Sequence, residues 1–241
     1  MKLAAFATLA GSAAAFAPAP MAKTSSVASS TSLSAELNGW IPDESKFAWG
    51  LPGSIDPIQE FDPLGFAKDT PLGLIKRWRE AEVHHGRVAM LAVAGLLVTE
   101  EPIEFHPLFE RSEVDIGPAV RQLDELDASG PYFAIFLALF IGAIEWNRAL
   151  TGFSAPEGKF EFQQLNDDYY PGDTGFDPAG LKPEDPEEFA TMATKELQNG
   201  RLAMLGLAGM VAQELVNGEE IFVNLGLATD RFDPSSVPIQ F

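Results

Sequence analysis

The chain contains two closely similar decapeptides, EVHHGRVAML at 82–91 and ELQNGRLAML at 196–205. Each sets a glutamate and an arginine five residues apart within an apolar segment, with His85 or Asn199 three residues after the glutamate. Carboxylate, imidazole and amide oxygen can all donate an electron pair to a metal ion. On a helix, five residues turn through about 140°, so the Glu and Arg of one copy do not face each other. The cation for each acid must come from elsewhere. If the two copies cross as a two-fold pair, Glu82 meets Arg201 and Glu196 meets Arg87, giving two buried pairs that lock the crossing. Gly86, Ala89, Gly200, Ala203 and Gly206 supply the small surfaces that close approach requires. The alternative is two surface helices with solvated charges, but these charges sit inside the segments and not on their polar flanks.

The elements that must position these residues are three apolar segments, Leu72 to Val98, Tyr132 to Leu150 and Phe189 to Val216. The duplication extends beyond the decapeptides, pairing Ala94 with Ala208 and Gly95 with Gly209. FDPLG at 61 matches FDPAG at 176 after a one-residue gap. Residues 36–69 are rich in Pro, Gly and Asp and read as an extended arm carrying turns. An acidic connection, 99–131, follows the first segment, and AVRQLDEL at 119–126 has the spacing of a short surface helix. EIFVNLGLAT at 220–229 reads as a short amphipathic helix. The uninterrupted apolar runs, Val88 to Val98, Tyr132 to Ile144 and Leu202 to Ala212, are shorter than the roughly 20 residues of a membrane span. Hydropathy alone therefore favours a soluble helical bundle. Unpaired Glu or Arg near mid-bilayer costs roughly 2.5–3.5 kcal/mol, so reciprocal pairing is what would admit these segments to a membrane.

Composition narrows the function further. The chain is 46% hydrophobic, carries a net charge of −19 and has no cysteine. Disulfides and thiolate metal sites are excluded, and so strong an acidic balance disfavours nucleic acid. MKLAAFATLAGSAAAFAPAP has the pattern of a cleavable signal, and residues 17–35 that of a transit peptide. Together, residues 1–35 resemble the two-part presequence of algae with secondary plastids, Phe16 following the cut. The alternative is a secretory signal with a flexible linker. Removing Lys2 and Lys23 makes the remainder two units more negative.

Glu82 and His85, at i and i+3, invite a di-iron reading, since helical bundles use E-x-x-H in that role. The second copy has Asn199 instead, only three long helices are available, and an arginine two positions after the ligand would repel a dinuclear cation site. Magnesium suits the set better: it is hard, and where a chlorin ring fills four positions a single axial donor suffices. One donor per pigment explains why His, Asn, Gln and Arg-paired Glu can all serve.

EVHHGR and ELQNGR, each followed by AML, with EWNR in the middle segment, resemble the signatures of the light-harvesting complex superfamily. The acidic chain, short loops and presequence look most like fucoxanthin chlorophyll a/c proteins of diatoms and related algae. The resemblance covers roughly residues 55–230. It implies an all-α membrane protein of the thylakoid with three transmembrane helices, the first and third crossing as a pseudo-two-fold pair, plus short amphipathic surface helices. The implied division is a presequence at 1–35, a stromal arm at 36–69, a three-helix domain at 70–230 and a tail at 231–241.

By the same resemblance, Glu82 with Arg201 holds one chlorophyll magnesium and His85 a second. Glu196 with Arg87, Asn199 and Gln213 hold three more, and Glu145 with Arg148 another. The loops at Asp62, Pro63 and Gly65 and at Asp177, Pro178 and Gly180 cradle two central carotenoids. Gln213 also suits an interhelical polar contact, and Asn199 a backbone hydrogen bond. His84 is given no ligand role and His106 falls in the acidic loop. Phe133, Phe136 and Phe140 form a stripe for pigment or lipid. Leu137 and Ala228 stand where many plant relatives carry a Gln and a His, so two pigment sites lack their usual donor.

The implied function is an antenna, not an enzyme, that binds chlorophyll a, chlorophyll c, fucoxanthin and related carotenoids such as diadinoxanthin, and lipids. Its implied partners are a photosystem I or II core, other antenna subunits and thylakoid lipids, and no nucleic acid. Lys68, Lys76, Arg77 and Arg79 precede the first helix, and Arg148, Lys159, Lys182 and Lys195 lie around the second connection. The 99–131 loop has only Arg111 and Arg121 against nine acids, which puts the N-terminus in the stroma and this loop in the lumen. Clustered carboxylates such as Glu100, Glu101 and Glu104 resist joint ionisation, which leaves a photoprotective, pH-sensing role as the alternative. A di-iron oxidase and a soluble scaffold are the remaining alternatives.

Overall fold

The computed structural model describes residues 37–100, 103, 118–121, 131–154 and 164–228. The presequence at 1–35, the tail at 231–241, Glu101, Glu104, His106, Lys159 and most of the acidic connection lie outside these residues. Four helices are described: α1 Leu72–Thr99, α2 Pro131–Gly152, α3 Pro186–Asn217 and the short α4 Ile221–Asn224. The first three follow the three apolar segments, α1 extended by one residue, α2 by three and α3 by four. For α3 the extension has a local cause. Asp185 accepts hydrogen bonds from the backbone N–H groups of Glu187 and Glu188, Pro186 needs no donor partner in the first turn, and Gly218 closes the other end in left-handed geometry.

α1 and α3 cross at Gly86 and Gly200, positions equivalent in the repeat. A Cβ added to Gly200 would stand 2.9 Å from the Cα of Gly86, so the contact is backbone on backbone. Ala89, 2% exposed, extends it by one turn. Gly206 does not belong to the crossing, because nothing would meet its Cβ within 4 Å. Six residues beyond Gly200 turn through about 240°, which carries Gly206 off the contact face.

α1 and α2 are long and apolar enough to cross a membrane, whereas α3, the longest, does not meet that test among the described residues. α2 stands apart from the crossing and is inside out. Phe136, Leu139, Phe140, Trp146 and Leu150 are exposed, while Glu145 and Arg148 are half-buried. α1 and α3 expose equivalent residues in the same way, with Leu91 at 76% and Leu205 at 75%.

The 36–69 arm differs from the expected extended form. Leu37, Trp40 and Leu51 pack with Ile75 and Tyr170 into a small apolar core at one end of the crossing. Trp40 and Phe189 meet the Tyr170 ring edge-on at 6.1 and 5.2 Å. At the other end, Glu100, Glu214 and Glu220 are buried together. Glu100 accepts from the N–H groups of Ala119 and Ile221, and Glu214 from that of Val120. Of AVRQLDEL, residues 119–121 form a 3₁₀ turn and the rest lies outside the described residues. The helix expected over 220–229 is shorter, covering Ile221–Asn224.

Candidate functional site

The crossing brings together the two acids and two bases of the repeat as their spacing requires. Arg201 Nε donates to Glu82 Oε1 at 2.7 Å, and Arg87 Nε donates to Glu196 Oε1 at 2.7 Å. Each arginine uses its Nη1 to hold a loop carbonyl, Gly53 for Arg201 at 3.0 Å and Gly172 for Arg87 at 2.7 Å. The pairs are not fully buried as expected. Their side chains are 30–40% exposed, because the close backbone contact at Gly86 and Gly200 leaves the flanks of the crossing open.

His85 and Asn199 show the same local device. The Nδ1 of His85 lies 2.7 Å from the carbonyl of Ala81, and the Nδ2 of Asn199 donates to the carbonyl of Lys195 at 2.8 Å. A carbonyl only accepts, so the imidazole proton sits on Nδ1 and the lone pair on Nε2. Among the described residues the amide oxygen of Asn199 likewise has no hydrogen-bond partner. Each copy thus fixes one side chain to the backbone a turn earlier and presents one unshared donor at the exposed face. The backbone bond foreseen for Asn199 exists, and it leaves the donor role open. Gln213 makes a longer contact, Nε2 to the carbonyl of Glu219 at 3.4 Å. Glu145 Oε2 accepts from Arg148 Nη1 at 2.9 Å.

The two FDP loops share one geometry. The carbonyls of Asp62 and Asp177 accept from the N–H of Gly65 and Gly180, both at positive φ. The side chain of Asp62 accepts from the amides of Phe66 and Ala67, and that of Asp177 from those of Leu181 and Lys182. The Lys182 and Leu181 amides hold the Asp177 carboxyl below the usual carboxylate range. Burial alone would raise that of Asp173, but hydrogen bonds from Lys182 and Asn38 outweigh it and hold this carboxyl low too. Burial pushes the Tyr170 hydroxyl up to about 12.

Beside each ion pair lies a groove. One of about 610 Å³ is lined by Phe61, Ile55, Trp78, Glu82 and Arg201. The other, about 550 Å³, is lined by Phe176, Asp177, Met192, Glu196 and Arg87. Asp62, Pro63 and Gly65, and Pro178 and Gly180, shape the loops without lining the grooves.

Sequence reasoning missed Arg79, Glu80 and the part played by His84. Arg79 Nε lies 3.2 Å from Glu82 Oε2. Glu80 is 3% exposed and accepts from Arg148, Tyr169 and Gly172. The signal was a run of charge, RWREAEVHHGR, too dense for one helix face.

Residues 47–215 match the chlorophyll A-B binding protein family. Light-harvesting complex stress-related protein 1 of Chlamydomonas reinhardtii is 43% identical over 209 residues, 86% of this chain and 81% of the relative. Stress-related protein 3.2 of the same organism is 45% identical over 197 residues, 80% and 73% of the two chains. The fucoxanthin-chlorophyll a-c binding protein of Isochrysis galbana is 46% identical over 177 residues, 72% and 80%. Two reciprocal Glu–Arg pairs, a glycine crossing and a match across most of the length agree: this chain belongs to the chlorophyll a–b binding, light-harvesting protein family.

Proposed function

We propose that the chain is a light-harvesting antenna subunit that crosses the thylakoid membrane three times with its N-terminus in the stroma and passes excitation to a photosystem core. The observation that carries this reading is the matched pair His85 and Asn199, each anchored through N–H and each offering one free donor on an exposed apolar surface. Bound chlorophyll supplies light absorption and a site for excitation energy. The chain's own residues bind and orient it: His85 and Asn199 directly, Glu82 and Glu196 with charges offset by Arg201 and Arg87, Glu145 with Arg148, and Gln213 at the end of α3. Rigid helices suit that task, because the distance and angle between pigments decide transfer. The exposed apolar faces of α2 favour lipid and pigment as surroundings, since a soluble protein leaves few such patches uncovered. The two grooves beside the FDP loops suit carotenoids. The name of the Isochrysis relative supports chlorophyll a, chlorophyll c and fucoxanthin as the pigments; diadinoxanthin rests on resemblance alone. No residue is assigned bond-making chemistry, and a di-iron centre is disfavoured by Asn199 standing in place of a second histidine and by the arginine two positions after each candidate donor.

The deciding experiment is an absorption spectrum and pigment extract of the native protein purified in detergent. Chlorophyll a and c with fucoxanthin are expected; a colourless protein, or one carrying iron, would overturn the reading. A photoprotective role is the second reading, favoured by the stress-related relatives and by the burial of Glu100, Glu214 and Glu220 where the acidic connection leaves α1. Fluorescence lifetime that shortens on acidification of the purified complex supports it, and an unchanged lifetime removes it.

A further inference from the structure

Glu145 is held on both oxygens by groups that trace back to α1. On one side, Arg148 Nη1 donates to Glu145 Oε2 at 2.9 Å while its Nε donates to Glu80 Oε1 at 2.8 Å. Glu80 is itself fixed, since its Oε2 accepts from the Tyr169 hydroxyl at 3.0 Å and from the backbone N–H of Gly172 at 2.6 Å. On the other side, His84 Nε2 lies 3.2 Å from Glu145 Oε1. Glu80 and His84 are four residues apart, so they present one face of α1 to the same spot on α2.

Docking alone does not require this arrangement. An intrahelical Glu145–Arg148 pair is satisfied without help, and an exposed pair of that kind adds little to stability. Here the same carboxylate is approached from two directions, its arginine is shared with a buried acid, and its side chain stays 39% exposed. A carboxylate has about four lone-pair positions, so two contacts still leave room for a metal ion. Holding the group in one orientation removes the rotamer entropy that a ligand would otherwise have to overcome.

We propose that Glu80 and His84, neither of which is a pigment ligand, are positioning residues that set the Glu145–Arg148 pair for chlorophyll, so that the site on α2 is completed by α1. The inference rests on the pigment reading above and adds the residues that make one of its sites.

The test uses the full chain loaded with pigment in detergent, reading chlorophyll per chain and the difference absorption spectrum. Glu145→Ala is expected to remove about one chlorophyll and one band. His84→Ala and Glu80→Gln should remove the same band. His84→Gln, whose amide N–H reaches the place of Nε2, should restore it. His84→Ala added to Glu145→Ala should remove nothing more. An unchanged band in His84→Ala overturns the proposal, and so does a further chlorophyll lost in the double variant, which would make His84 a ligand in its own right. If Glu145→Ala itself keeps every pigment, the pigment reading of this site fails and takes the proposal with it. Should Glu80→Gln not fold, the two His84 variants decide.

Discussion

The two copies of the repeat present the same ion pair with different support. Glu82 meets Arg201 at 2.7 Å and also has Arg79 3.2 Å away. Among the described residues Glu196 has one cationic partner, Arg87. The residue equivalent to Arg79 in the second copy is Ala193. Duplication therefore supplies the pairing, while the neighbours decide how much each pair depends on its one arginine.

The largest effect is expected where both copies break at once. Gly200→Leu drives a side chain into the backbone of Gly86, and about 3 kcal/mol of overpacking should prevent recovery of a pigmented complex. Thermal loss of visible circular dichroism measures it. Next, Arg87→Leu and Arg201→Leu should differ. An orphaned buried acid costs up to about 3–5 kcal/mol, but the partial exposure of these pairs reduces that to about 2 for Arg87. Arg201→Leu should cost about 1 kcal/mol less, since Arg79 remains beside Glu82. Equal melting temperatures for the two variants would show that Arg79 gives no support. Then His85→Ala and Asn199→Ala should each remove about one chlorophyll with little change in stability, because each loses one side-chain-to-backbone bond and one ligand. Extracted pigment per chain checks this, and a retained pigment in one copy would make the two donors unequal.

The smallest effect concerns the loops. The Asp177 carboxyl is held below its ordinary range in the folded state, so its contribution is present above that range and is lost as pH falls through the folded value. Asp177→Asn should therefore lower stability slightly at neutral pH and flatten the acid limb, so that the two proteins converge as pH falls. Denaturation followed from neutral to acidic pH tests this.

The crossing was legible in the sequence because duplication wrote the same residue types at matched positions, and helix geometry then left each acid one available partner. Gly206 misled because a small residue permits contact only where it lies on the facing side of its helix, and six residues from Gly200 it does not. The packing of Leu37, Trp40 and Leu51 was not legible: these residues follow no period and acquire partners only when the arm returns to Ile75 and Tyr170. Glu80 and His84 were hidden for a related reason. Their partners, Arg148 and Glu145, lie more than sixty positions away on a helix whose own E-x-x-R motif looks self-sufficient. His85 and Asn199 stood out in the sequence as equivalent polar positions of the repeat, but the tether of each to the carbonyl one turn earlier appears only in three dimensions.

The glycine contact has a mechanical consequence. Where main chain rests on main chain there is no flexible group between them to repack, so the gap is set by atomic radii. Whatever the two rods carry is then held to a ruler that neither warming nor drift in the surrounding sequence can stretch by much, and exchange between the rods is tuned by changing what they bear instead of how far apart they stand.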